Sequence, residues 1–405
     1  MLSVADIEAA RQRLKGAILD TPCAYAQTLS EMSGVRCYLK LENVQMTGSF
    51  KERGAANLLM QLDTAERATG VAAASAGNHG LAVAFHAARL GIGAVIVMPE
   101  WAPLIKVTSA RRYGAEVILA GANYDEAYAR AREIATERGL YFVHPFDDPR
   151  IVAGQGTIGL ELLEQRPDLD AVVVPVGGGG LVAGVGLAIK AARPDVRVIG
   201  VQAEALPAMR RALEAGSRVT LPPAPTIADG IAVRQVGELT LALASRWVDE
   251  VVTVTEEEMA NAILLLLEIE KTVVEGAGAT PLAALLNRRL GLGGHNVVLV
   301  LSGGNIDVTM ISRIIVRGLV KDGRLVRFGV ILRDQPGALA RLTALIAECR
   351  ANIVHIEHDR AFSHAALGES RVELTLETAG PEQIEAVKQH LTEAGYGLEE
   401  PGQGC

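Results

Sequence analysis

Four short stretches of this 405-residue chain collect residue types that do chemistry. In Ser49–Phe50–Lys51–Glu52–Arg53–Gly54 a lysine stands where a polar turn runs into a helical pattern, with Ala55, Leu58 and Leu59 on one inward face. It is either a solvated charge at a helix start or an amine held inside. Burial beside apolar groups would lower its pKa and leave it free to attack a carbonyl, with Phe50 available to cover a flat ring. In Ser75–Ala76–Gly77–Asn78–His79–Gly80, backbone N–H groups and a hydroxyl open a helix, which suits a carboxylate or phosphate. A glycine turn capped by Ser75, with His79 packed as an ordinary core histidine, accounts for the same letters. Val176–Gly177–Gly178–Gly179–Gly180–Leu181 ends an apolar run. Four glycines are entropically costly for a mere turn, but they let several N–H groups converge on a phosphate. In Leu301–Ser302–Gly303–Gly304–Asn305 a buried serine would bond a heterocyclic nitrogen without charge, or the stretch simply ends a strand.

Together the four supply an amine, a carboxylate cup, a phosphate cup and a neutral partner for a ring nitrogen. A cofactor with an aldehyde, a phosphate, a hydroxyl and a pyridine nitrogen needs that set, and pyridoxal 5'-phosphate has all four.

The elements that must position these stretches are legible from periodicity. Up to about residue 320, short β-branched runs alternate with Ala/Leu-rich helical stretches, the pattern of parallel sheets covered by helices. The spacing predicts strands at 71–74, 94–98, 116–119, 171–176, 196–202 and 296–301, and helices at 80–90 and 124–138. The glycine clusters follow directly after three of these strands. In open α/β sheets ligands bind at the carboxyl ends of strands, so the clusters are expected to meet at one site. A polar connection, Lys321–Asp322–Gly323–Arg324, then introduces a different pattern. Strands at 327–333, 352–360 and 371–378, helices at 337–350 and 381–394, and a short strand near Tyr396 form a ferredoxin-like arrangement. The Asp334–Gln335–Pro336–Gly337 turn stops the first strand and starts the helix. Two unlike domains in series are expected.

At this point the chain resembles the threonine dehydratases (threonine ammonia-lyases) of the tryptophan-synthase-β class along roughly residues 5–320. SFKERGA, SAGNHG, HPFDDP, GQGT, GGGGL and LSGGN occur in the family's order. The resemblance implies a fold-type-II α/β catalytic domain of two open parallel-sheet subdomains over 1–321. The tail resembles an ACT domain over 326–400, through RDQPGALARL. It further implies that Lys51 attaches the cofactor, that Phe50 packs on its ring and that Asn78 meets its phenolic oxygen. Gly177, Gly178, Gly179, Gly180 and Leu181 would hold the phosphate, and Ser302 would face the ring nitrogen. Ser75, Asn78 and His79 belong to the loop for the substrate carboxylate. The implied reaction is β-elimination of L-threonine, and of L-serine, to a 2-oxo acid and ammonia, with isoleucine the candidate effector at the tail.

A serine-preferring dehydratase or racemase and a non-catalytic amino-acid sensor are the alternatives. Ala76 replaces the second serine that related racemases use as acid/base, and Lys51 has no purpose in a pure sensor. Arg210 stands where relatives have the aspartate of a cation site that Glu204 and the Ala208 carbonyl would otherwise match, so no metal is expected.

Composition narrows the class. With 39 basic against 47 acidic side chains the formal charge is −8, and no basic run suits nucleic acid. The most apolar stretch, 262–267, is far shorter than the ~20 residues of a membrane span. The opening residues do not read as a signal peptide. Cys23, Cys37, Cys349 and Cys405 lack metal or redox spacing and are expected to be thiols. A cytoplasmic homodimer or homotetramer is the expectation.

Overall fold

Runs such as Val71–Ala74 and Ala94–Met98 carry no polar side chain on either face, so they are stable only when covered on both sides. The computed structural model describes residues 2–287, 290–360 and 365–399 and places them there. The chain divides into one compact unit reaching Ile306 and a second beginning at Asp307.

In chain order the first unit has β1 (Cys23–Tyr25), β2 (Arg36–Leu41), β3 (Val71–Ala74), β4 (Ala94–Met98) and β5 (Glu116–Leu119). There follow β6 (Tyr141–Phe142), β7 (Ala171–Pro175), β8 (Arg197–Ala203), β9 (Glu250–Val254) and β10 (Asn296–Leu301). They build two sheets. One is six-stranded, in the order β1-β2-β10-β7-β8-β9, and parallel except for β1. The other is four-stranded and wholly parallel, in the order β5-β4-β3-β6. Each has its own apolar core. The six strands expected from sequence are present to within a residue. β1, β2, β6 and β9 are additional. β2 escapes notice because Lys40 interrupts its apolar run, and β6 is only two residues long.

Helix Pro149–Gln165 packs against both helix Lys51–Leu59 and helix Gly180–Ala192. Close approach needs glycine here: a Cβ on Gly154 would lie 2.5 Å from the Arg53 carbonyl oxygen. Helix Lys51–Leu59 buries Ala55, Leu58 and Leu59, as its periodicity predicts.

The second unit begins with helix Val308–Lys321, which the sequence reading assigns to the first domain. It continues as β11 (Leu325–Arg333), helix Ala338–Glu348, β12 (Asn352–Asp359), β13 (Glu369–Glu377), helix Pro381–Glu393 and β14 (Gly397–Glu399). The antiparallel order β12-β13-β11-β14 is the ferredoxin-like one. Phe328, Val330, Leu342, Val372, Leu374 and Leu391 form its core. Residue 400, where the expected tail ends, lies outside the described residues, as does Cys405. Cys23, Cys37 and Cys349 carry free thiols. No helix among the described residues is long and apolar enough to cross a membrane.

Candidate active site

The loops that follow β2, β3, β7 and β10 carry the four stretches, because parallel strands release their chains on one side of a sheet. The loops after β2 and β10 are joined by backbone bonds. Phe50 N–H donates to the Ser302 carbonyl (3.0 Å), Gly304 N–H donates to the Gly48 carbonyl (2.9 Å), and Ser49 bridges Gly303. Lys51 and Ser302 are thereby tied to one another across the chain.

Lys51 is the first residue of its helix and half-buried. Its Nζ donates to the Pro145 carbonyl at 2.9 Å and lies 5.1 Å from the Phe50 ring centroid. Loss of hydration pushes its pKa down to about 8, and the nearby Glu275 charge opposes the shift. Among the described residues it has no ion-pair partner.

Asn78 opens helix Asn78–Leu90. Its Nδ2 donates to both oxygens of Glu275 (2.8 and 3.0 Å), and its Oδ1 accepts from Asn305 Nδ2 at 2.8 Å. Asn305 Nδ2 also donates to the Thr47 carbonyl (2.7 Å), so one amide pins the loops before Lys51 and before Asn78. Glu275 is buried. Desolvation, followed by the Asp229 charge, raises its pKa to about 7 against the pull of Asn78. Ser75 Oγ accepts the Gly77 N–H (3.0 Å) and so shapes its own turn. His79 is buried with Nε2–H donating to the Val143 carbonyl (3.0 Å). Burial, and then the Lys51 charge, lower its pKa to about 3, so the ring is neutral.

Gly177 to Gly180 turn from β7 into helix Gly180–Ala192, with Gly179 in the left-handed region at φ +99°. A Cβ on Gly178 would fall 2.4 Å from the Phe146 ring, and one on Gly179 would fall 2.4 Å from Met209 Cε. A side chain at Gly178 would run into the Phe146 ring, and one at Gly179 would be strained by its positive φ. Leu181 and Ser302 are buried. Arg210 turns its guanidinium to Glu214 (3.0 Å), and no cluster of three or more His, Cys, Asp or Glu suited to a metal occurs among the described residues.

Sequence reasoning missed Glu275, Asn305, Phe146 and the Pro145 carbonyl. Glu275 carried a faint signal: a single acid inside the otherwise small and apolar run 273–286. A lone acid there has to find a polar partner.

A family model described as pyridoxal-phosphate dependent enzyme matches residues 14–303. The chain belongs to that family. It is 50% identical over 396 residues to the L-threonine ammonia-lyase of Thermotoga maritima, covering 98% of both chains. It superposes on the processed form of threonine deaminase isoform 2 from Solanum lycopersicum with a TM-score of 0.73 at 37% identity, covering 77% of this chain and 86% of that one. Maize serine racemase superposes with a TM-score of 0.74 at 33% identity over 79% of this chain and 98% of that one. The enzyme depends on pyridoxal phosphate. The donor set is suited to that group: a poorly hydrated amine with a lowered pKa, a glycine cup at a helix N-terminus, an oriented amide and a buried hydroxyl.

Proposed function

We propose that this enzyme eliminates the β-hydroxyl of L-threonine, and of L-serine, to give 2-oxobutanoate or pyruvate and ammonia. The observation that carries the reading is the Lys51 amine, held by one carbonyl and no acid, beside the joined loops that follow β2 and β10. The 50% identity to an L-threonine ammonia-lyase over 98% of both chains supports it.

In this reading Lys51 attaches the cofactor, Phe50 lies against its ring, Asn78 meets its phenolic oxygen and Ser302 faces its ring nitrogen. Gly177, Gly178, Gly179, Gly180 and Leu181 receive its phosphate. The cofactor supplies the electron sink when bound, and the chain supplies orientation and proton handling. Lys51, with its pKa lowered to about 8, is the base for the Cα proton. The substrate carboxylate sits on the N–H groups opening helix Asn78–Leu90, where neutral His79 adds no competing charge. The hydroxyl of Ser302, unlike a carboxylate, would carry no negative charge to hold a proton on the ring nitrogen, which would favour prompt elimination. Ala76 has no hydroxyl to reprotonate the opposite face of Cα, so racemisation is disfavoured.

The tail, with its ferredoxin-like order, serves in this proposal as an ACT-type effector module that takes an amino acid such as isoleucine near Asp334–Gln335–Pro336–Gly337 and residues 352–356, across a pair of such units. Coupling of ~1–3 kcal/mol would shift threonine affinity about 5- to 150-fold. Unchanged threonine kinetics and no calorimetric heat on isoleucine titration would remove this part alone.

The deciding experiment is 2-oxo acid release from purified protein with pyridoxal phosphate and L-threonine. Steady 2-oxobutanoate formation is the expected result. A yellow, folded protein that releases none from threonine or serine would overturn the proposal.

A further inference from the structure

A loop of four glycines has no side chains with which to hold its own shape, so the shape has to be imposed from outside. Thr240, fully buried, donates its hydroxyl to the Gly178 carbonyl at 2.6 Å. Carbonyl and following N–H of a trans peptide point in opposite directions. Drawing the Gly178 oxygen toward Thr240 therefore turns the Gly179 N–H to the far side of the loop. Phe146 and Met209 stand where Cβ atoms on Gly178 and Gly179 would be.

Thr240 is itself placed from a distance. It is the third residue of helix Glu238–Trp247, whose N-cap is Gly237 and has no side chain with which to cap. The Asp147 carboxylate does so instead. Oδ2 accepts the Glu238 N–H and Oδ1 the Thr240 N–H, each at 3.0 Å. A Cβ on Gly237 would fall 2.0 Å from Asp147 Oδ1, so glycine is required there. Asp147 N–H in turn donates to His144 Nδ1 at 2.7 Å, and burial keeps that ring neutral with a pKa of about 4. In the same segment the Pro145 carbonyl holds Lys51 and the Phe146 ring backs Gly178. Residues 144–147 thus touch both the amine and the glycine loop.

We propose that Asp147 and Thr240 are positioning residues that aim the 177–180 loop at the cofactor phosphate, the hydroxyl of Thr240 acting on the Gly178–Gly179 peptide and Asp147 holding Thr240 in place. This rests on the reading of that loop as the phosphate cup. Threonine to valine removes one donor with little change of shape, and threonine to serine keeps the donor.

The test titrates cofactor-free wild type, Thr240→Val, Thr240→Ser and Asp147→Ala with pyridoxal phosphate and with pyridoxal, which lacks the phosphate. Thr240→Val should weaken pyridoxal phosphate about 3- to 10-fold, the range of one net hydrogen bond. It should leave pyridoxal affinity unchanged and move the ³¹P resonance of the bound cofactor. Thr240→Ser should restore both the pyridoxal phosphate affinity and the resonance, and Asp147→Ala should weaken pyridoxal phosphate at least as much as Thr240→Val. Equal losses for both ligands, or no loss for either, would overturn the proposal. Gly178→Ala, which drives a methyl into the Phe146 ring, separates the two levels. If it too leaves pyridoxal phosphate affinity intact, the loop is not the phosphate cup, and the underlying reading fails with it.

Discussion

Two lysines eleven positions apart receive opposite treatment. Lys40 is fully buried in β2 and fully satisfied: its amine donates to Glu161 (2.5 Å), the Thr21 carbonyl (2.7 Å) and Gln165 (3.1 Å). Glu161 also binds Arg53, which in turn binds Glu42, so two cations and two anions share one buried network. Lys51 lies two residues from Arg53, yet it has a single carbonyl and no acid in contact. A paired buried charge holds elements together, whereas an unpaired amine is kept at a cost in hydration and is free to react. The surroundings decide the role, not the residue type.

Substitution breaks this contrast most sharply. Lys51→Ala should lower turnover to below about 1% of wild type, since a positioned base alone contributes ~10²–10⁴-fold, and the visible absorbance of the bound cofactor should vanish. Retained turnover and absorbance would refute the assignment. Lys51→Met should leave the unfolding midpoint of the cofactor-free protein unchanged or higher, because it removes an unpaired amine. Lys40→Met should cost about 3–5 kcal/mol in denaturant unfolding, because it strands part of the Glu161 charge. Equal effects of the two Met variants on stability would erase the distinction.

The pH behaviour of the amine sharpens it further. Attack on the cofactor aldehyde needs the unprotonated amine, so the rate of cofactor capture should rise with pH to half its maximum near pH 8 rather than 10.5. Stopped-flow absorbance on cofactor-free protein measures this. The smallest expected effect belongs to Glu275. Its folded pKa is raised from 4.5 to about 7, so the folded state binds a proton that the unfolded chain has already lost, and stability drains as pH rises between those values. Glu275→Gln should flatten that slope in unfolding curves taken at pH 4.5 and pH 8.

Much of the site was legible because glycine after an apolar run is a local signal. The loops at 75–80, 177–180 and 302–305 each follow a strand whose letters identify it. The contacts that orient the site are not local. Asn78 meets Glu275 across 197 positions and Asn305 across 227, and Thr240 reaches Gly178 across 62. Nothing in the neighbouring letters of Glu275, Asn305 or Thr240 reports those distances. β2 was hidden for a related reason: Lys40 looks solvated until Glu161, 121 residues on, is seen to balance it. The tail was easier, since its alternation and its Asp334–Gln335–Pro336–Gly337 turn act over a few residues.

The position of β10 in the large sheet has a consequence for biosynthesis. It lies between β2 and β7, pairing Asn296 with Arg36 on one side and Val297 with Ala171 on the other. A chain emerging from the ribosome therefore carries an exposed inner edge on β2, joined later by one on β7, until its last large-sheet strand appears, 260 residues after Arg36. At ~5–20 residues per second that is a wait of roughly 13–50 s. Through all of it β2, and from its own synthesis onward β7, offers unpaired backbone to any neighbouring nascent chain. Crowded polysomes and an early stop before residue 296 are thus the circumstances in which this protein is most exposed to aggregation.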